Sequence, residues 1–306
     1  MKSIVNKNNF DGLRLISAIL VLCSHQFALS GQFEIRAIAD HSFGNLGLLC
    51  FFTISGYLVT ISWHKDPNPI RFTLRRFLRI APGITLGYLL TQAVMILFPA
   101  MNNFPNNPFH AINGSLWTIP LEIYCYILLL TLGISTKKPA LTFISIIMPI
   151  WIITGGQTTT FYFAYFGLFF GAGAICAQYE IILSKKILIA MCILGIILIY
   201  NNQSIAGLIL FAPLVINIGL KSWFILKDAG HFGDLSYGVY IYAWPTQQIY
   251  IHWLGTDTSY IDLLSLSLFS TLLIAYCSWH LIEKKCIQMK PKNQDNELSL
   301  VCVLRK

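Results

Sequence analysis

The sequence predicts an all-α protein, a membrane-embedded bundle of about ten transmembrane helices with both termini in the cytoplasm. Of the 306 residues, 56% are hydrophobic and 11% are charged, whereas about 25% of the residues in soluble domains are charged. The mean hydropathy is +0.64. The apolar residues form runs long enough to cross a bilayer, and the basic residues lie between alternate runs. These observations exclude an ordinary soluble globular protein.

Ten apolar stretches are separated by polar or aromatic breaks. We expect helices over residues 11–30, 43–63, 81–98, 117–134, 140–155, 160–178, 186–201, 203–220, 234–253 and 261–282. The first stretch follows a polar segment and is long enough to span a membrane, so we interpret it as a retained helix and not as a cleaved signal peptide. The fifth, seventh and eighth stretches are short for a full span.

The basic residues set the orientation of the bundle. The chain has 21 lysines and arginines. If the N-terminus is cytoplasmic, Arg36 alone falls outside, Arg14 lies within the first span, and all the others fall inside. This positive-inside bias predicts an even number of spans with both termini in the cytoplasm. The net charge of +8 is then explained by contact with anionic lipid or an anionic cytoplasmic ligand, and nucleic acid is not required.

Cysteine and histidine patterns give no sign of a metal site. The eight cysteines and seven histidines are scattered, and the sequence has no C-x-x-C or H-E-x-x-H spacing. The predicted outer loops contain no cysteine, so we expect neither a metal nor an outer disulfide framework.

Arg14 and His25 are ionisable residues in the first apolar stretch. Eleven helical steps return to within roughly 20° of the starting direction, so both lie on one face, about 16 Å apart along the axis. Ionisable groups at membrane depth mark functional sites by default. The alternatives are that Arg14 reaches the headgroups or pairs with Asp11, and that His25 is a satisfied core imidazole.

An arginine-rich segment follows the second span. Arg71, Arg75 and Arg79 recur at helical spacing, which predicts a short interfacial helix with one cationic stripe, ended by Pro82 at the entry to the third span. Guanidinium groups arranged in this way can bind phosphate oxygens. The alternative is that these charges set the topology and bind lipid headgroups.

The fourth span begins with Trp117 and Glu122. A carboxylate at this depth could hold the proton-bearing nitrogen of His25, or pair with Arg14 if the bundle brings the two together. The alternatives are an interfacial glutamate wetted by the outer solution and an ordinary aromatic belt.

The second and ninth spans carry further polar groups. Small residues in the run 51–58 favour close helix contact, and Pro245 suits a kinked ninth helix that faces a polar cavity. The candidate substrate contacts in these spans are Ser55, Tyr57, Tyr237, Tyr240 and Gln247.

Six ordered motifs resemble the acyltransferase-3 family of integral membrane acyltransferases. They are Asp11-Gly-Leu-Arg14-x10-His25, Phe51-Phe52-x-x-Ser55-Gly56-Tyr57-Leu58, Arg75-Arg76-x-x-Arg79-Ile-x-Pro82, Ser115-Leu-Trp117-Thr-x-Pro120-x-Glu122, Ser236-Tyr237-Gly238-x-Tyr240 and Ser278-x-x-Leu281-Ile282-Glu283-Lys284. The resemblance implies an acyltransferase transmembrane domain over residues 1–286 and a short cytoplasmic tail over 287–306.

The resemblance also implies an activity, the transfer of an acyl group, commonly acetyl, from coenzyme A to a saccharide hydroxyl. The implied catalytic residues are His25, Arg14 and Glu122, and Trp117 is an implied sugar platform. The implied acetyl-CoA contacts are Arg14, Arg75, Arg76 and Arg79. Two departures stand out. Many relatives have a histidine at the position of Ala243, and Lys285 occupies a position where many relatives have proline.

A sugar hydroxyl is a weak nucleophile, and a neutral imidazole can accept its proton as it attacks the thioester. His25 is therefore the expected base, with a transient acyl-imidazole as the alternative. We expect a membrane O-acetyltransferase in the bacterial inner membrane, acting on a cell-envelope or exported saccharide. The competing class is a transporter or flippase, because buried ionisable groups also line transport paths.

Overall fold

Helices make up almost all of the protein. The computed structural model describes residues 8–38, 41–97, 113–154, 158–221, 226 and 229–289. The α-helices are α1 (Phe10–Ser30), α2 (Phe43–Lys65), α3 (Pro69–Leu97), α4 (Ile119–Ser135), α5 (Pro139–Ile153), α6 (Thr159–Gln178), α7 (Lys185–Tyr200), α8 (Ser204–Ile209), α9 (Ala212–Leu220), α10 (Ser236–Leu254), α11 (Tyr260–Ser278) and α12 (Lys284–Gln288). Turns of 3₁₀ helix at Leu116–Thr118 and Ala229–Phe232 precede α4 and α10, and a π-helical turn, Trp279–Glu283, joins α11 to α12.

Six helical segments in the described part of the chain are long and apolar enough to cross a membrane. They are Phe10–Ser30, Phe43–Lys65, Pro69–Leu97, Leu116–Ser135, Thr159–Gln178 and Tyr260–Gln288. The remaining helices are shorter or more polar. The prediction of a multi-pass helical bundle is therefore confirmed, while the count of ten spans and the cytoplasmic position of both termini stay predictions. Most of the predicted tail, 287–306, lies outside the described residues.

Local signals fix several helix ends. Gly31 ends α1 in the left-handed region at φ 69°, where its backbone N–H bonds back to the last turn, a conformation that glycine adopts without a steric penalty. Ser42, Thr158 and Ser184 each accept a backbone N–H of the first turn of α2, α6 and α7. Such caps satisfy donors that the helix itself leaves free.

The prediction that Pro82 ends a short interfacial helix was wrong. Helix α3 is continuous for 29 residues and contains Pro82, so the arginines lie on the same helix as the third span. Pro82 cannot donate to the Leu78 carbonyl, and α10 packs against the helix on this stretch: Tyr237 donates to the Ile80 carbonyl at 3.0 Å, and its ring lies beside Gly83. Proline within a membrane helix is tolerated where neighbouring helices pack against it.

The predicted eighth stretch, 203–220, corresponds to the apolar helical segment Ser204–Leu220, but this segment is interrupted. The chain forms two short helices, α8 and α9, with Leu210 and Phe211 between them. Pro213 lies in the first turn of α9, where its missing N–H costs nothing. A two-stranded antiparallel hairpin that the sequence did not predict, β1 (Arg36–Ile38) and β2 (His41–Ser42), leads from α1 into α2.

Helix α2 lies at the centre of the packing and contacts α1 on one side and α6 on the other. The backbones of α2 and α6 approach closely at two glycines. A Cβ atom at Gly56 would lie 1.9 Å from the Phe170 carbonyl oxygen, and one at Gly173 would lie 1.9 Å from that of Thr53. The predicted role of the 51–58 run in close helix contact agrees with this packing.

Candidate active site

Arg14 and His25 line two neighbouring cavities. The first, which we call the arginine chamber, is about 50 Å³ and is lined by Arg14, Arg79, Glu122, Tyr126, Tyr237 and Tyr240 among others. The second, the histidine cavity, is about 400 Å³ and is lined by His25, Ser24, Ser42, Asn45, Trp117 and Tyr162 among others. Leu48 lines both. The shared face of α1 therefore runs along two adjoining spaces.

Asp234 joins the two arginines of the arginine chamber. Its Oδ2 accepts a hydrogen bond from Arg14 Nη1 at 2.8 Å and another from Arg79 Nη2. Its Oδ1 accepts from Ser236 Oγ at 2.7 Å. One carboxylate thereby fixes α1 and α3 at the start of α10. The sequence analysis offered Asp11 or Glu122 as partners of Arg14, but the partner in the structure is Asp234.

The other arginines of α3 have different surroundings. Asp66, at the corner between α2 and α3, accepts from Arg71 at 2.6 and 2.9 Å and from Arg75 Nη1 at 2.5 Å. The hydrogen bonds from Arg71, together with those from Arg75, lower the pKa of Asp66 to about 2. Asp66 is therefore a permanent anion, and it occupies Arg75. The predicted cationic stripe is therefore divided: Arg71 and Arg75 bind Asp66, whereas Arg79 binds Asp234.

Arg76 points between α3 and α4. Its guanidinium lies 5.9 Å from the Phe72 ring centroid and 6.0 Å from that of Tyr126. It lines a third, apolar cavity of about 340 Å³, and its Nε has no hydrogen-bond partner among the described residues. The salt bridges found among those residues belong to Arg14, Arg71, Arg75 and Arg79. Arg76 is thus the α3 arginine best able to take an external anion.

Glu122 is held by hydroxyl groups. Its Oε1 accepts from Ser55 Oγ at 2.8 Å and from the Tyr126 hydroxyl, and Ser55 lies 2.8 Å from that hydroxyl as well. Glu122 and His25 line different cavities. The expected contact between this carboxylate and the imidazole is therefore not formed. Instead, Glu122 supplies the negative charge at one wall of the arginine chamber.

His25 is an imidazole with a free ring nitrogen. The ring contacts Trp244 edge to face, with centroids 4.8 Å apart and planes at 83°. Its Nδ1 has no partner among the described residues. Trp244 follows Ala243 in α10, so this helix packs an aromatic ring against His25. Because the His25 ring lines the histidine cavity, a neutral imidazole at this position can accept a proton from a ligand there.

The remaining substrate candidates are dispersed. Tyr237 and Tyr240 line the arginine chamber, and the Tyr240 hydroxyl lies 2.5 Å from Thr118 Oγ1. Tyr57 stacks on Phe10, with ring centroids 5.5 Å apart. Gln247 is buried and donates to the Leu22 carbonyl of α1 at 2.8 Å. Trp117 thus shares a cavity with His25, whereas Ser55, Tyr57 and Gln247 have protein partners.

The described ranges contain no cluster of candidate metal ligands. No group of three or more His, Cys, Asp or Glu side chains converges there. What the geometry offers is a chamber in which two arginines are paired with a carboxylate, beside a larger cavity with an imidazole. This arrangement suits a group transfer in which an anionic donor and a neutral acceptor occupy adjoining spaces.

These features define a membrane-embedded group-transfer enzyme. The family model described as an acyltransferase domain matches residues 7–280. The chain belongs to this family, and the protein is an acyltransferase.

Two curated proteins are similar to the chain. The O-acetyl transferase of Shigella phage Sf6 is 30% identical over 322 residues, which cover 91% of this chain and 95% of that protein. Nodulation protein 10 of Rhizobium leguminosarum bv. viciae is 31% identical over 100 residues, covering 32% of this chain and 27% of that protein. No solved structure matches the chain.

Proposed function

We propose that the protein is an O-acetyltransferase that moves an acetyl group from acetyl-CoA to a hydroxyl of a cell-envelope or exported saccharide, in the bacterial inner membrane. The observation that carries the proposal is the pair of adjoining cavities, one with arginines and one with His25. The name of the phage relative, O-acetyl transferase, supports the choice of an acetyl group and of an oxygen acceptor.

The donor would approach through the α3 arginines. The arginine chamber is about 50 Å³, enough for a few water molecules or a small acyl group and far too small for a nucleotide. The nucleotide end of acetyl-CoA would therefore lie outside the chamber, with its phosphates on Arg76, while Arg14 and Arg79 bind along the pantetheine arm, whose thioester end reaches toward His25. Arg75 contributes to the local positive charge and is itself bound to Asp66.

The acceptor would occupy the histidine cavity. A volume of about 400 Å³ lies within the usual range for small-molecule sites, and Trp117 offers an apolar face to a sugar ring. His25 takes the hydroxyl proton as the oxygen attacks the thioester carbonyl. The C–S bond then breaks, and coenzyme A leaves as a thiolate that takes up a proton. In the alternative route, His25 nitrogen attacks the thioester and the C–S bond breaks, and the sugar oxygen then attacks the acyl-imidazole, breaking the N–C bond and releasing the imidazole.

The test is acetyl transfer from radiolabelled acetyl-CoA into the glycan fraction of membranes that contain the protein. At matched expression, His25→Ala should lower the label by about 10²- to 10⁴-fold, the range for loss of a general base. The control is His64→Ala, because His64 is an exposed histidine near the end of α2. Equal label in wild type and His25→Ala would remove His25 from the mechanism. Absence of label in the wild type would contradict the donor and acceptor assigned here.

A further inference from the structure

One part of the wall of the histidine cavity is polar, and the proposed mechanism does not use it. Ser24, Ser42 and Asn45 all line the cavity. Ser42 Oγ lies 3.4 Å from Ser24 Oγ and accepts the Asn45 backbone N–H at 3.1 Å. These contacts place Ser24, in the C-terminal half of α1, beside the first turn of α2. The three polar side chains therefore share one patch of the wall of the cavity that His25 lines.

Asn45 is held so that its amide nitrogen remains available. Its Oδ1 accepts a hydrogen bond from the Tyr165 hydroxyl at 2.9 Å and lies 3.0 Å from His41 Nδ1. With His41 in its Nδ1–H tautomer, both neighbours donate to this oxygen, and the oxygen is satisfied. Tyr165 is itself buried on α6. The Asn45 Nδ2 protons are then the part of the amide that can bind a ligand.

Ser24 offers a hydrogen-bond acceptor, whereas Asn45 offers a donor. Its hydroxyl donates to Glu34 Oε1, and a serine hydroxyl has one proton and two acceptor lone pairs. With the proton engaged, Ser24 Oγ can accept a hydrogen bond from a ligand. The wall thus presents a donor at Asn45 and an acceptor at Ser24. A hydroxyl group both donates and accepts, so it suits this pair, whereas a carboxylate or phosphate would face the Glu34 charge and find no proton on Ser24.

We propose that Asn45 and Ser24 form a hydroxyl-binding subsite for the acceptor. The subsite holds a second hydroxyl of the sugar, next to the hydroxyl that His25 activates, while the ring lies against Trp117. The substrate class is an uncharged sugar ring with neighbouring hydroxyls, and Asn45 selects which hydroxyl reaches His25. This inference rests on the proposed function, because it specifies the acceptor of the same reaction.

The experiment uses the full chain in membranes, with radiolabelled acetyl-CoA as donor and the isolated membrane glycan fraction, added at increasing amounts, as acceptor. Asn45→Asp keeps the size of the side chain and replaces the donor by an acceptor oxygen. We expect the apparent KM for the glycan to rise about tenfold and the KM for acetyl-CoA to stay unchanged. Tyr165→Phe removes one of the groups that hold the amide and should raise the glycan KM less, in the same direction.

The matched control is Asn201→Asp, at an exposed asparagine after α7, which should behave as wild type. A glycan KM for Asn45→Asp equal to that of wild type would overturn the inference, as would a rise in both KM values. If Asn45→Asp transfers no label at all, binding of acetyl-CoA decides: retained binding supports the acceptor role, and lost binding overturns it. Failure of the proposed function differs from all of these outcomes, because wild type itself would then transfer no label.

Discussion

Asp234 binds Arg14 and Arg79 through a single carboxylate oxygen, and this arrangement explains how two guanidinium groups are kept close together inside the bundle. Their mutual repulsion is offset by the charge between them. The side chains of Arg14, Arg79 and Asp234 are 13%, 24% and 11% exposed, so water screens them little. Asp234 thus positions both arginines, and in the proposed function their other N–H groups bind the donor.

Asp234→Asn should therefore impair the donor side of the reaction. The amide keeps the shape and loses the charge, so Arg14 and Arg79 repel each other and are no longer held in one place. We expect the KM for acetyl-CoA to rise about tenfold, which corresponds to about 1.4 kcal/mol of binding free energy. This is less than the 3–5 kcal/mol of stability that is typically lost when a buried ion pair is broken. The measurement is initial transfer rate against acetyl-CoA concentration.

Asp262→Asn provides the control for this substitution, because Asp262 is exposed in the first turn of α11. It should leave the KM unchanged. A wild-type KM for acetyl-CoA in Asp234→Asn would show that the chamber arginines do not need their shared counter-ion.

The sequence indicated which residues carry charge at membrane depth, but not their partners. Arg14 and His25 follow from helical periodicity, since both lie on one helix. The partner of Arg14 is 220 positions away, and the contact between Asn45 and Tyr165 joins residues 120 positions apart. Such pairs depend on how helices pack, which one sequence does not encode locally. Gly233 and Asp234 precede the 236–240 motif in the sequence, but no sequence pattern indicates that Asp234 binds an arginine.

At the scale of helices, the contact between α2 and α6 depends on glycine. The absence of a side chain at Gly56 and Gly173 lets the two backbones approach within van der Waals distance. Close backbone approach of this kind stabilises helix pairs in membranes, where apolar burial provides little drive for association. Helix α6 also contacts the first turn of α2, where Tyr165 donates to Asn45, which lines the histidine cavity.

Gly56→Ala should destabilise the protein. Its Cβ would lie 1.9 Å from the Phe170 carbonyl oxygen, and backbone cannot move aside as a flexible side chain can. We expect a loss of at least the 1–3 kcal/mol that is typical of overpacking, measured as a lower midpoint of thermal unfolding in detergent.

Gly167→Ala is the matched control on α6, because its Cβ would lie 3.2 Å from a methyl group of Ile147, a contact that a small side-chain shift relieves. Its midpoint should stay near that of wild type. Equal midpoints for Gly56→Ala and wild type would contradict the close contact.

Helix positions were the most predictable part of the fold. The apolar run 160–178 corresponds to Thr159–Gln178 and the run 43–63 to Phe43–Lys65, because hydrocarbon burial requires long uninterrupted helices. The errors occurred at proline. Pro82 was expected to end a helix and lies inside one, since α10 supports it. Pro213 marks a helix start that hydropathy alone did not reveal.

In the whole molecule, the two adjoining cavities follow one another along the axis of the bundle. Helices α1 and α10 run in the same direction, because Arg14 bonds to Asp234 where both helices begin and Gln247 bonds to the Leu22 carbonyl further along both. Arg14 and Tyr237 lie near the N-terminal ends of these helices, whereas His25 lies in the C-terminal half of α1. With the N-terminus in the cytoplasm, the arginine chamber is nearer the cytoplasmic face and the histidine cavity nearer the outer face. The donor and acceptor could then reach the site from different compartments.

Sealed vesicles of defined orientation test this arrangement, because acetyl-CoA is highly charged and does not cross a bilayer. Added to inverted vesicles, radiolabelled acetyl-CoA meets the cytoplasmic face, and we expect the glycan fraction to be labelled at least about tenfold faster than in right-side-out vesicles. Permeabilising the right-side-out vesicles should restore the rate, and His25→Ala vesicles should stay unlabelled in both orientations. Fast labelling of sealed right-side-out vesicles would instead place the donor entrance on the outer face, which would reverse the orientation that the basic residues predict.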